Sequence, residues 1–199
     1  QNIQLVLNEI FRLSNDYCLE ILIVDDNSTD GTSDIVKSLA KKDSRIRLIR
    51  RVGRSGLSSA IQEGLLNATS DLAVVMDADG QHQASDALLA VKELIESKAD
   101  LVVGSRFLSQ ARIRGLSKRR VIGSNSANIL ARISLSKSYQ HLTDYMSGCF
   151  ALNLNTCLPF LLKLNVNGFK FYYELLALSK GCLKVKEVPL VFKSRVRGK

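Results

Sequence analysis

Asp77 and Asp79 stand two residues apart at the end of DLAVVMDADG (71–80), an apolar run of β character. In an extended chain, residues i and i+2 point to the same side, so these two carboxylates converge. Like charges that close repel unless a cation sits between them. Oxygen ligands with room left for phosphate suit Mg2+ or Mn2+. Gln81, two residues further on, adds a neutral oxygen. The plain alternative is a solvated turn with capping aspartates; the apolar strand before it favours the metal.

A second acidic pair, Asp25 and Asp26, closes the run ILIVDD and opens the turn NSTDGT. Adjacent residues cannot both face one pocket, so one acid serves a site and the other orders the turn, or both are turn carboxylates. GRSGLSSA (53–60) has the look of a glycine-rich anion loop before a helix, but its spacing matches no phosphate-binding motif and a plain turn explains it equally well. Arg112, Arg114, Lys118, Arg119 and Arg120 form either a solvated basic run or an anion site. His82 lies next to the acidic cluster, and neither it nor His141 has a Cys or His at ligand spacing. Asp144, in TDYMSG, is one of only three acids after residue 105; it is a salt-bridge partner or a catalytic group. Glu174 reads as structural.

The elements that hold these residues follow from periodicity. NIQLVLNEIFRL (2–13) has helical spacing. Residues 20–26 read as a strand buried on both faces, and Thr29 or Ser28 caps a helix over 32–42. A strand over 45–51, a helix over 57–68, the strand 71–80, a helix over 85–98 and a strand over 99–107 complete the first half. Strands alternating with helices imply an α/β fold, a doubly wound, mostly parallel sheet flanked by helices. Ligands sit beyond the carboxyl ends of such strands, where both acidic pairs lie. After residue 107 the pattern changes. Residues 108–120 read as a mobile basic loop, 121–135 as a helix, 141–153 as a turn-rich approach to a strand, 170–181 as a helix and 183–199 as a strand with a basic end.

The chain of 199 residues, 46% apolar and 24% charged, makes a single globular domain over 1–199. Its net charge of +9 is unevenly spread. Residues 1–105 hold 11 Lys+Arg and 16 Asp+Glu, net −5; residues 106–199 hold 17 and 3, net +14. That division suits a metal site in one half and a surface for an anion or an anionic membrane in the other. Nucleic acid is a poor fit, because aromatics make up 6% and do not interleave with the basic residues. The four cysteines form no CxxC pair and read as free thiols. No apolar run reaches the ~18 residues that span a bilayer. The opening QNIQ lacks Met, which points to sequence before it.

Two protein classes place acids as ILIVDD does: phospho-receiver domains and nucleotide-sugar enzymes. A receiver needs a lone phospho-acceptor Asp on a later strand, whereas MDADGQHQ offers two carboxylates. The ordered set IVDDNSTDGT, VMDADGQHQ, DLVVGSRF, DYMSG, EVPLVF and RVRGK resembles the family-2 inverting glycosyltransferases of the GT-A fold. Within them it is most similar to the dolichyl- and polyprenyl-phosphate sugar synthases, over nearly the whole chain. The resemblance implies roles. Asp25 and Asp26 bind the nucleoside. Asp77, Asp79 and Gln81 form the metal and diphosphate site, and Ala78 with Asp77 binds the nucleotide sugar. Arg106, the Arg of GSR, belongs to the nucleotide-sugar site, and Arg195 meets the donor diphosphate. Lys118, Arg119 and Arg120 engage the acceptor phosphate. Asp144, Asp79 and Arg119 act at the reacting sugar. It further implies Mg2+ or Mn2+ as cofactor, a nucleotide-sugar donor such as GDP-mannose or UDP-glucose, and a polyprenyl or dolichyl phosphate acceptor at the cytoplasmic face of a membrane. A soluble or glycan acceptor, and a non-catalytic receiver-like module, are the alternatives. The family's first strand and PxYNE segment would precede Gln1; membrane-anchoring segments or a partner subunit would lie outside the chain. SGCF departs from the aromatic-plus-Arg form of many members, and the absence of Trp argues against a processive polysaccharide synthase.

Overall fold

Apolar runs punctuated by turn residues become the strands, and amphipathic stretches between them become the helices. The computed structural model describes residues 2–113, 127–166, 168 and 170–192. Arg114, Lys118, Arg119, Arg120 and Arg195, five of the residues singled out above, lie outside them. In chain order the first half runs α1 (Asn2–Leu13), β1 (Ile21–Asp25), α2 (Thr32–Ala40), β2 (Ile46–Arg50), α3 (Leu57–Leu66), β3 (Leu72–Val75), α4 (Ala84–Ser97) and β4 (Leu101–Ser105). The second runs β5 (Arg112–Ile113), α5 (127–134), β6 (Phe150–Asn153), α6 (Leu154–Leu161), α7 (Phe171–Ser179), β7 (Val185–Pro189) and β8 (Val191–Phe192).

The main sheet has the order β3-β6-β4-β7. β4 and β7 are parallel, whereas β6 is antiparallel to both of its neighbours, with Val75 opposite Phe150 and Val103 opposite the same residue. β1 pairs β2 and β5 pairs β8, each in parallel and each as a separate two-stranded sheet. The α/β class and the flanking helices are as the sequence implies. Among the described residues the strands fall into three ladders, with three parallel pairings and two antiparallel ones. β6 follows the 106–149 segment and runs antiparallel to β3 and β4, so it enters the sheet at the end where β4 leaves it.

Strand parity divides the core. Leu101 and Val103 of β4, with Phe150 and Leu152 of β6, pack on one face against Tyr172, Leu175 and Leu176 of α7. Val102 and Ala151 point the other way, onto Ala90 and Leu94 of α4. Every residue of β4 is buried, because strands flank it and helices cover both faces. β1 differs: Ile21–Val24 are only half-buried, and Asp25 alone is fully so. The expected burial on both faces fails there, since β1 is bonded to β2 alone among the described residues. A smaller core of Ile3, Leu7, Val36 and Ile46 ties α1, α2 and the β1–β2 pair together.

Two local details depart from expectation. α2 is capped by Gly31, at φ 85°, and not by Ser28 or Thr29. The Ser28 hydroxyl is taken by Asp25 instead. Arg112 and Ile113, placed in a loop by sequence, pair with Val191 and Phe192. α6 is an element the periodicity does not announce.

Candidate active site

β3 stops at Val75, Met76 and Asp77 continue as irregular chain, and residues 78–81 form a turn with Gly80 at φ 82°. Asp77 lines a cavity of about 160 Å³ together with His82, Arg106, Tyr145, Lys170 and Tyr172. Asp79 sits in the turn and does not line it. One Asp79 oxygen accepts the Gln81 backbone N–H at 2.9 Å, and its carbonyl accepts Asn2 Nδ2 at 3.4 Å. Gln81 is buried and Ala78 exposed. The i, i+2 rule assumes extended chain, and the turn beginning at Ala78 ends that geometry.

The donors present fit a hard divalent ion in a particular way. Asp77 and Asp79 offer oxygen only, and no group of three or more His, Cys, Asp or Glu able to hold a metal occurs among the described residues. One or two carboxylates completed by phosphate oxygens and water is the usual setting for Mg2+. Space is kept at the first of them. A Cβ on Gly148 would lie 3.0 Å from Asp77 Oδ2. The buried His82 approaches the same oxygen, its Nε2 at 3.7 Å.

Arg106 follows β4 and meets Asp144 across 38 residues of chain. Its Nε donates to Asp144 Oδ2 at 2.7 Å, its Nη2 to Oδ1 at 2.9 Å and its backbone N–H to Oδ2 at 3.2 Å. Met146 N–H adds a bond to Oδ1 at 3.1 Å. Asp144 is 0% exposed, so this carboxylate acts on the arginine and not on the cavity. A planar two-point pair of this sort fixes the guanidinium. Glu187 of β7 secures the segment from behind, accepting Thr143 N–H at 2.9 Å and Asp144 N–H at 3.0 Å. Burial pushes the Glu187 carboxyl above its ordinary pKa, against those hydrogen bonds. Tyr172, also buried at the cavity, has a hydroxyl with no hydrogen-bond partner among the described residues.

The acids at the end of β1 are committed elsewhere. Asp25 accepts from the Ser28 backbone N–H and from the Ser28 and Ser33 hydroxyls. Burial raises its pKa, but these bonds outweigh that and hold the carboxyl below its ordinary value. This is the turn-ordering acid of the pair. Asp26 accepts Arg51 Nε at 2.6 Å and Gly56 N–H at 2.9 Å, tying the 53–56 loop down. Arg51 also donates to Ser59 Oγ at 2.8 Å and the Gly56 carbonyl at 3.0 Å. Sequence reasoning missed Arg51, which is 1% exposed although it lies in a run that alternates charge with apolar residues. It also missed Lys170 and Tyr172, which only the fold brings to Asp77, and gave His82 no role.

An α/β sheet of this order with acids beyond its strand ends is the GT-A glycosyltransferase fold. It superimposes on the crystal structure of glucosyl-3-phosphoglycerate synthase from Mycobacterium tuberculosis with a TM-score of 0.70 at 18% identity, covering 100% of this chain and 68% of that one. A mannosyltransferase from Pyrobaculum calidifontis, solved with GDP-Man and Mn2+, gives a TM-score of 0.59 at 21% identity over 100% of this chain and 54% of that one. The chain belongs to glycosyl transferase family 2, whose pattern matches residues 1–157. It is 36% identical over 179 residues to a dolichol-phosphate mannosyltransferase of Pyrococcus furiosus, covering 90% of this chain and 49% of that protein. The dolichol-phosphate mannosyltransferase of Saccharomyces cerevisiae is 36% identical over 193 residues, 67% of its length. The chain thus spans about half of the first relative and two thirds of the second. Family membership sets aside the receiver-like alternative.

Proposed function

We propose that this chain is an inverting transferase that moves a hexose from a nucleotide-diphosphate sugar, of the GDP-mannose or UDP-glucose type, to a polyprenyl or dolichyl phosphate. The observation that carries the reading is the cavity in which Asp77 meets an Arg106 held by the buried Asp144, in a chain 36% identical to two dolichol-phosphate mannosyltransferases. Asp77 and Asp79, with Gln81 behind them, would hold Mg2+ or Mn2+, which when bound supplies positive charge for the donor diphosphate. Arg106 presents a fixed cation to the same phosphates. Asp26, less buried than Asp25, is the acid left to border the nucleoside.

The acceptor phosphate is itself an anionic nucleophile near neutral pH, so the reaction needs no strong base. Asp144, bonded through both oxygens, fits a positioning part in that scheme. Lys118, Arg119 and Arg120 would seat the acceptor phosphate and Arg195 the donor diphosphate. Orientation of the two substrates then supplies much of the rate. The reaction would take place at the cytoplasmic face of a membrane, to which the chain binds peripherally or through segments or a partner outside this sequence. No helix among the described residues is long and apolar enough to cross a bilayer.

The test is direct. The chain is incubated with Mn2+, a panel of radiolabelled nucleotide sugars and a polyprenyl phosphate, and label is sought in the organic phase as an inverted sugar-phosphate lipid. Transfer from one donor is expected; label in no lipid with any donor would overturn the assignment.

A further inference from the structure

Arg106 stands one residue past β4, and Asp144 lies in 141–149, a segment without helix or strand. Regular backbone bonding therefore fixes neither partner of this pair, and side chains must hold the two in register. A chain of hydrogen bonds does so. Thr143 Oγ1 lies 3.0 and 3.1 Å from the two Glu187 oxygens and 2.6 Å from Ser105 Oγ. A carboxylate only accepts, and a hydroxyl carries one proton. Thr143 therefore donates to Glu187 and accepts from Ser105. Ser105 Oγ in turn accepts the Phe107 N–H at 3.1 Å. The chain runs one way, from Phe107 N–H through two hydroxyls to the Glu187 carboxylate, and each bond polarises the next. It grips the residues on both sides of Arg106. The same carboxylate accepts Asp144 N–H at 3.0 Å. Glu187 is thus the common anchor of the strand end that carries Arg106 and of the segment that carries its partner.

The placement is costly. Ser105 and Asp144 are fully buried and Glu187 is half-buried, so two carboxylates share a poorly hydrated corner in which Asp144 repels Glu187. Apolar packing would hold a loop without that repulsion. An acid here is explained by what it orders, the guanidinium of a residue in the cavity wall.

We infer that Glu187 is a positioning residue for the transfer, acting through Thr143 and Asp144 to set the Arg106 guanidinium for the donor diphosphate. This rests on the reading of Arg106 above and extends it to β7.

The experiment is a double-mutant cycle, read by calorimetric titration of GDP and UDP with Mn2+ well below the melting temperature of every variant. Glu187→Gln should bind whichever diphosphate the parent takes about tenfold more weakly, but in an Arg106→Gln background the same change should cost less than about twofold. Thr143→Val should weaken binding about threefold, and Thr143→Ser, which keeps the hydroxyl, should match the parent. Unchanged affinity in Glu187→Gln, or equal losses in the two backgrounds, overturns the inference and leaves the transferase reading standing. So does a Thr143→Ser variant no better than Thr143→Val. If Glu187→Gln does not fold, the Thr143 variants in the two Arg106 backgrounds decide in the same way. A parent that binds neither diphosphate overturns both readings. A parent that shows the coupling but labels no lipid supports the positioning role and counts against lipid-phosphate transfer alone.

Discussion

The acids that end β1 and those that end β3 occupy comparable places in the chain, each pair closing an apolar run, yet their surroundings are opposite. Asp25 and Asp26 are held by Ser28, Ser33, Arg51 and the Gly56 N–H. Asp77 meets a cavity, a neighbouring histidine and a glycine whose missing side chain leaves room at its oxygen. The carboxylates of one pair are already hydrogen-bonded within the chain, whereas Asp77 faces a cavity. What separates them is whether the local backbone and hydroxyls already satisfy the carboxylate.

That contrast can be broken most forcefully at Arg51. Arg51→Met strips a nearly buried cation from Asp26 and from the 53–56 loop, and about 3 kcal/mol of stability should go with it in urea unfolding. Stability within a few tenths of the parent would show that the β1 end is not self-supporting. Asp77→Asn should behave in the reverse manner. The proposed transfer to lipid phosphate is expected to fall by about 100-fold or more, ~3 kcal/mol, with the urea midpoint unmoved. Full activity in that variant would erase the distinction. Gly148→Ala places a methyl group against Asp77 Oδ2 and should lower transfer by about tenfold, ~1.4 kcal/mol, chiefly by raising the metal concentration needed.

The smallest effect is in acid. Asp25 has its carboxyl below the ordinary value, so between its folded and unfolded pKa the unfolded chain binds more protons. Its contribution is complete above the unfolded pKa and disappears as pH falls through the folded one. Asp25→Asn should therefore flatten the decline of melting temperature in that acid range. An identical decline in both proteins would mean that other carboxylates set it.

The apolar runs of β1, β3 and β4 and the amphipathic α1 and α4 could be read from sequence because each carries its own periodicity. So could a turn-ordering part for one of the adjacent acids, which Asp25 plays through Ser28 and Ser33. The direction of β6 could not, since it depends on how the 106–149 excursion returns. α6 was unreadable: LNTCLPFL is apolar nearly throughout and holds Pro159, so it offers no helical stripe. Arg51 looked like a surface residue because sequence does not show that Asp26, 25 positions earlier, waits beside it. Asp144 and Arg106 posed the same difficulty. Each was picked out for its type, but their pairing, which makes one of them a support for the other, exists only once β4 and the 141–149 segment are side by side.

The separation of the β1–β2 pair from the four-stranded sheet has a dynamic consequence. A ladder shared by two halves makes them melt together; here the described residues share none. α1, α2, β1 and β2 close around their own modest cluster, so this portion can undergo local unfolding while the larger slab stays intact. Amide exchange should then divide the molecule in two, with Leu22–Val24 losing protection well before Leu101–Val103. Asp77 and Arg106 would ride on the slow-exchanging portion and Asp26 on the fast one, so the first two keep their geometry while the third is free to adjust.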